Sequence, residues 1–144
     1  MRSIFADTFY WIALANPRDE WREAARRAST SFASAMIYTT DEVLAEFLTF
    51  FSSMGPQLRK RAILLVEHVL ESPDVHVIPQ TRDSFLAGVQ LYKGRPDKAY
   101  SLVDCICMQA MKEEGIAEAL TGDQHFAQEG FVVLLCDDLR GAAE

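Results

Sequence analysis

The sequence predicts an α/β domain with a mostly parallel central sheet flanked by helices on both faces. Three observations lead there. Short apolar runs alternate with longer segments of helical periodicity along the chain, the pattern of strands joined by crossover helices. The 144 residues suffice for one core but not for two ordinary ones, so a single domain over 1–144 is expected. The composition, 49% apolar and 24% charged with no repeat or low-complexity block, is that of a globular chain.

The elements follow in order. "SIFA", 3–6, is a short apolar run ended by Asp7, and "TFYWIALA", 8–15, is the first helix. Arg2, this apolar stretch and Ala13-Leu14-Ala15 imitate a secretory signal, but Asp7 splits the apolar region and the reading fails. An amphipathic helix follows over 20–32, then a strand at 36–38. The helix over 41–51 opens with a capping box of Thr39 and Glu42 and carries an apolar stripe of Val43, Leu44, Phe47, Phe50 and Phe51. A helix at 56–71, a strand at 75–78 and a helix at 81–92 complete the first two thirds. "YKGRPDKAYS", 92–101, is a basic, turn-rich loop before the most apolar helix, 102–114. Ser101 with Asp104 caps that helix and Gly115 after Lys112 stops it. Strands at 118–120 and 132–135 enclose a short helix at 124–128, and the tail at about 139–144 is expected to be flexible.

Cys105, Cys107 and Cys136 form neither an even disulfide set nor a CxxC pair, so reduced structural thiols in a cytoplasmic protein are expected. No uncharged stretch reaches the ~18 residues that span a bilayer. The net charge of −7 argues against a broad basic surface gripping nucleic acid, but not against acidic side chains gathered at a cation.

In an open α/β sheet, ligands collect beyond the carboxyl ends of the strands. Asp7 follows the first strand and Asp123 follows "EALTG". Each alone reads as a helix N-cap worth ~1 kcal/mol. Asp104 has a capping reading too, yet at about 100° per residue it falls between Met108 and Met111, inside an apolar surface. Glu46 stands inside its helix, at the border of the apolar stripe, and is expected to look toward the end of the sheet; a surface glutamate is the other reading. Carboxylates 4 Å apart repel by ~4 kcal/mol at an effective dielectric near 20, so a converging set shares protons or binds a cation. Hard oxygen donors suit Mg²⁺ or Mn²⁺ better than zinc. No histidine or cysteine pair stands at ligand spacing.

Asp7 in "FADTFYWIAL", Glu46 in "TTDEVLAEFLTFF", Asp104 in "DKAYSLVDCICMQAM" and Asp123 in "LTGDQHFAQEGF" resemble the four acidic stations of the PIN-domain ribonucleases. Within that family the chain is most similar to the VapC-like toxins of type II toxin–antitoxin pairs, from the first strand to "GFVVL". Val103 and Gly122, each just before an acidic station, depart from the family's usual residues.

The resemblance implies a PIN-like fold and a metal-dependent endoribonuclease. Asp7, Glu46, Asp104 and Asp123 would hold Mg²⁺ or Mn²⁺, and a metal-activated water would cut RNA to leave 5′-phosphate and 3′-hydroxyl ends. It further implies a cognate antitoxin and a homodimer, with part of the Phe47, Phe50 and Phe51 surface at an interface. Asp97, Ser101 and Thr121 are candidates to support the ligands, although a turn after Pro96 and helix capping explain them equally. Lys93, Arg95 and Lys98 are candidate phosphate contacts. His125, two after Asp123, is a candidate to touch substrate or metal, with a structural role beside Phe126 the preferred reading, and His68 and His76 receive no role. The alternatives are an RNA-processing or DNA-directed nuclease with the same site, or a silent PIN-like binding module. A phosphorelay receiver would need a central phosphoacceptor aspartate and a late lysine, which the chain does not present.

Overall fold

The computed structural model describes residues 1–135, so Cys136 and the tail at 139–144 lie outside the described residues. Strand β1 (Ser3–Ala6) takes the middle of the sheet because Ile4, Phe5 and Ala6 offer no side for water, and all three are fully buried. On one side it pairs with β2 (Met36–Thr40), which pairs in turn with β3 (Val75–Ile78). On the other lie β4 (Glu118–Leu120) and then β5 (Val132–Val133). All pairings are parallel, and the order is β3-β2-β1-β4-β5.

The connections explain the layers. Helices α1 (Thr8–Ala15) and α2 (Arg22–Ser31) join β1 to β2, and α3 (Asp41–Phe51) and α4 (Pro56–Glu71) join β2 to β3. Then α5 (Arg82–Gly94) and α6 (Leu102–Glu114) carry the chain back past β1 to β4, and α7 (Gln124–Gln128) leads to β5. Parallel crossovers are right-handed, so this reversal puts α1 to α4 on one face and α5 to α7 on the other. The contacts divide in the same way: α1 to α4 pack among themselves, α6 packs on α5 and α7, and the groups meet where α3 touches α6. Helices α5 and α6 approach closely at Gly88, where a Cβ would stand 2.4 Å from Ile106 Cγ1 and 3.1 Å from its backbone nitrogen.

Several boundaries correct the sequence reading. Strand β2 runs on through Thr39 and Thr40, because both pair with β3 in the ladder. Thr40, not Thr39, therefore caps α3, accepting the Val43 N–H at 3.1 Å. The Thr39 hydroxyl is buried instead, donating to the Ala6 carbonyl at 2.9 Å and accepting the Trp11 indole N–H at 3.3 Å. Helix α2 starts at Arg22 because the Asp19 carboxylate holds the Trp21 N–H at 2.8 Å in a turn. Helix α5 runs from Arg82 to Gly94, capped by the Thr81 hydroxyl. Strand β5 spans only Val132–Val133, although the Leu134 and Leu135 N–H groups still reach the Ala119 and Thr121 carbonyls at 2.9 and 3.2 Å.

The reciprocal cap of Ser101 and Asp104 on α6 is present, as is a left-handed Gly115 (φ 70°) at its end. Phe47 and Phe51 are buried, whereas Phe50 is 40% exposed. Cys105 and Cys107 are buried free thiols. Among the described residues, no helix is long and apolar enough to cross a membrane.

Candidate active site

The chain leaves neighbours β1 and β4 in opposite directions, the first toward β2 and the second toward β5, which opens a crevice beyond their carboxyl ends. Asp7 is the first residue past β1. Its N–H reaches the Leu120 carbonyl at 3.3 Å, and its side chain makes no capping bond to α1. Instead its Oδ2 accepts the Thr121 hydroxyl at 2.9 Å. That hydroxyl oxygen accepts the Asp123 N–H at 3.0 Å, so one buried threonine ties the Asp7 carboxylate to the turn that carries Asp123. Gly122 is a glycine because Phe9 fills the space beside it: a Cβ there would stand 2.6 Å from the ring.

Asp123 caps α7, its Oδ1 accepting the His125 N–H at 2.9 Å. From the other side, α6 brings Asp104, whose Oδ2 is held by the Ser101 N–H at 3.0 Å. His125 lies between the two carboxylates. Its Nδ1 is 3.2 Å from Asp104 Oδ2 and 3.3 Å from Asp123 Oδ1. One potential ligand atom from each of Asp104, Asp123 and His125 lies within 4.8 Å of the others.

Burial pushes the Asp7 carboxyl up from 3.8 to about 7; the Thr121 hydrogen bond opposes this, and the negative charges of Asp104 and Asp123 add to it. Burial also raises the Cys107 thiol well above its usual range, with the charges of Asp7, Asp104 and Glu42 acting in the same direction. The charges of Asp104 and Asp123 are thus close enough to resist ionisation of Asp7, a conflict that a divalent cation among hard oxygen donors removes. Beside them, Thr8 Oγ1 is buried and has no hydrogen-bond partner among the described residues. The donor set fits a divalent cation.

Thr121 orients Asp7, and Ser101 both caps α6 and holds Asp104 through its N–H. Asp97 stands apart: its side chain is 72% exposed and faces Lys98 at 3.4 Å. Lys93 is exposed on the last turn of α5. Arg95 grips Glu129 with two bonds of 2.9 Å, and Glu129 also takes Lys112 at 2.9 Å and the Tyr100 hydroxyl at 3.2 Å. These partners, the Arg95 bonds foremost, pull the Glu129 carboxyl down from 4.5 to about 2.

Among the described residues, no hydrogen bond or shared ligand cluster ties Glu46 to the other three carboxylates. The buried arc of α3 is Val43, Leu44, Phe47 and Phe51, and Glu46 lies outside it, exposed. Glu42, one turn earlier and half-buried, is the α3 carboxylate whose charge reaches Cys107. The sequence reading gave Glu42 only a capping task and weighed a substrate or metal contact for His125 against the structural role it preferred. A signal for His125 was present: a cap aspartate and the residue two positions on share one turn.

An open parallel sheet with carboxylates gathered where its connections part defines a class, the α/β proteins with an acidic, cation-binding pocket. Within that class the chain belongs to the PIN domain family, which its residues 4–131 match. It is 29% identical over 129 residues to the 23S rRNA-specific endonuclease VapC20 from two strains of Mycobacterium tuberculosis, covering 90% of this chain and 95% of that protein. The crystal structure of M. tuberculosis VapC20, described as a sarcin-ricin loop cleaving toxin, superposes with a TM-score of 0.79 at 27% identity, covering 90% of this chain and 96% of that one. FitAcB from Neisseria gonorrhoeae shares the fold, with a TM-score of 0.65 at 16% identity over 90% of this chain and 94% of that one.

Proposed function

We propose that this protein is an endoribonuclease that hydrolyses RNA phosphodiester bonds with the help of a divalent cation, and that it acts in the cytoplasm as the toxin of a toxin–antitoxin pair. The observation that carries this reading is the convergence of Asp7, Asp104 and Asp123 at the β1/β4 crevice, in a PIN chain that aligns over nine tenths of its length with VapC20. Asp7, Asp104, Asp123 and, from α3, Glu46 hold Mg²⁺ or Mn²⁺. When bound, the cation activates water and offsets charge on the phosphodiester.

The chain's own groups prepare that chemistry. Thr121 fixes the Asp7 carboxylate through Oδ2. Ser101 fixes Asp104 through its N–H, so the ligands are held before substrate arrives. Lys93, on the last turn of α5, and Lys98, in the loop before α6, serve in this reading as phosphate contacts, a local positive charge on an acidic protein. An antitoxin and a second copy of the chain are the proposed protein partners. The half-exposed Phe50, Met54, Ile63 and Leu64 of the α3 and α4 region provide apolar surface for one of them.

The test is incubation of total RNA and of ribosomes with the protein in Mg²⁺, Mn²⁺ or EDTA, followed by mapping of the ends. Cleavage that leaves 5′-phosphates, stops in EDTA and falls at least about 100-fold in Asp7→Asn, Glu46→Gln and Asp104→Ala is expected. Cleavage that persists in EDTA or in Asp104→Ala overturns the proposal. A Glu42→Gln variant in the same assay separates the two carboxylates of α3.

A further inference from the structure

His125 is not one of the four acidic stations, yet its ring stands inside their pocket. Its Nδ1 is within 3.3 Å of a carboxylate oxygen from each of two elements, Asp104 of α6 and the cap residue Asp123 of α7. The main chain beneath the ring is pinned, since the His125 N–H donates to Asp123 at 2.9 Å. The ring rests against Tyr100, centroids 5.5 Å apart and planes inclined at 59°. Tyr100 is itself 5% exposed and anchored through its hydroxyl to Glu129. An imidazole held by its main chain and by a neighbouring ring has little freedom to turn away, and its Nδ1 is aimed at the space that Asp104 and Asp123 share.

We propose that His125 is a nitrogen ligand of the metal centre. In the tautomer with its proton on Nε2, Nδ1 donates to the same cation as Asp104 and Asp123, and the mixed donor set tilts the site toward Mn²⁺ and its first-row neighbours over Mg²⁺. This rests on the acidic-pocket reading above and refines it. The discrimination is chemical: Mg²⁺ favours an all-oxygen octahedron and keeps its waters, whereas imidazole nitrogen suits first-row transition cations. The competing account makes the ring a hydrogen-bond donor that stands in the cation's place and leaves when the cation enters.

Metal-free, full-length protein loaded with Mn²⁺ distinguishes them by pulsed electron paramagnetic resonance. Directly bound imidazole is expected to give a ¹⁴N coupling in the wild type that is lost in His125→Ala and His125→Asn. In calorimetric titrations the same variants are expected to bind Mn²⁺ about 10-fold more weakly or worse, while Mg²⁺ affinity changes by less than about 3-fold. A wild-type spectrum without ¹⁴N coupling, or equal losses for the two cations, overturns the proposal. The spectrum needs no variant, so it decides even if the substitutions unfold the chain. Asp104→Asn separates the two layers of inference. If it leaves Mn²⁺ binding intact, the pocket reading itself falls. If it abolishes binding while the His125 variants keep theirs, only the nitrogen ligand is lost.

Discussion

Asp7 shows how one buried charge sets a stability profile. Its carboxyl titrates near 7 in the folded protein against 3.8 for a free aspartate, because burial penalises the anion and Asp104 and Asp123 repel it. Between those values the metal-free folded state binds more protons than the unfolded state, so stability falls as pH rises from about 4 to 7 and levels off above. In EDTA, Asp7→Asn is therefore expected to stabilise the protein on the order of 4 kcal/mol at pH 8 and scarcely at pH 4, as read by urea unfolding. Equal gains at both pH values would refute this account. Asp7 was legible in the sequence, since a carboxylate inside an apolar run has few structural excuses. His125 was legible only in part, because Asp123 stands two residues away but Asp104 comes from another part of the chain. For Glu46 a helical wheel gives an angle but not where the sheet ends, so the wheel alone places it only at the border of the apolar stripe.

At the scale of elements, Glu129 joins three helices. It lies just past α7 and takes Arg95 from beyond α5, Lys112 from α6 and Tyr100 from the loop before α6. Its side chain is 5% exposed, but the cations are 39% and 42% exposed, so solvent screens much of the attraction. Glu129→Gln is expected to cost about 1–2 kcal/mol at neutral pH. Because the carboxyl is depressed from 4.5 to about 2, its contribution is whole above pH 4.5 and fades as pH falls toward 2. Urea unfolding of wild type and variant at pH 7 and pH 3 should show the gap narrowing; a gap independent of pH contradicts the assignment. Element ends with chemical punctuation, such as Ser101 and Gly115 around α6, could be read locally. The end of β2 could not, since it is set by the reach of β3, which no local pattern reveals.

For the whole molecule, cation binding and folding are linked. The native chain gathers the carboxylates and the unfolded chain scatters them, so a divalent cation at 100 times its Kd adds about 2.7 kcal/mol. For a chain of this size that is a rise in Tm of several degrees, expected with Mn²⁺, reversed by EDTA and absent in Asp104→Asn. A cation that leaves the wild-type Tm unchanged is not bound preferentially by the native state, which would refute the linkage. The fold class was legible because the alternation of runs and helices is a property of the entire sequence. Which strands become neighbours was settled by the right-handed return past β1.

That return has a consequence for synthesis. The Thr121 that anchors Asp7 lies 114 positions further along the chain. A nascent polypeptide can fold β1, β2 and β3 together while the flank of β1 that receives β4 is still bare. Until the stretch beyond residue 120 emerges, the first aspartate has neither its anchor nor its fellow carboxylate from β4. The pocket around Asp7 is therefore among the last parts of the molecule to be completed as the chain is made.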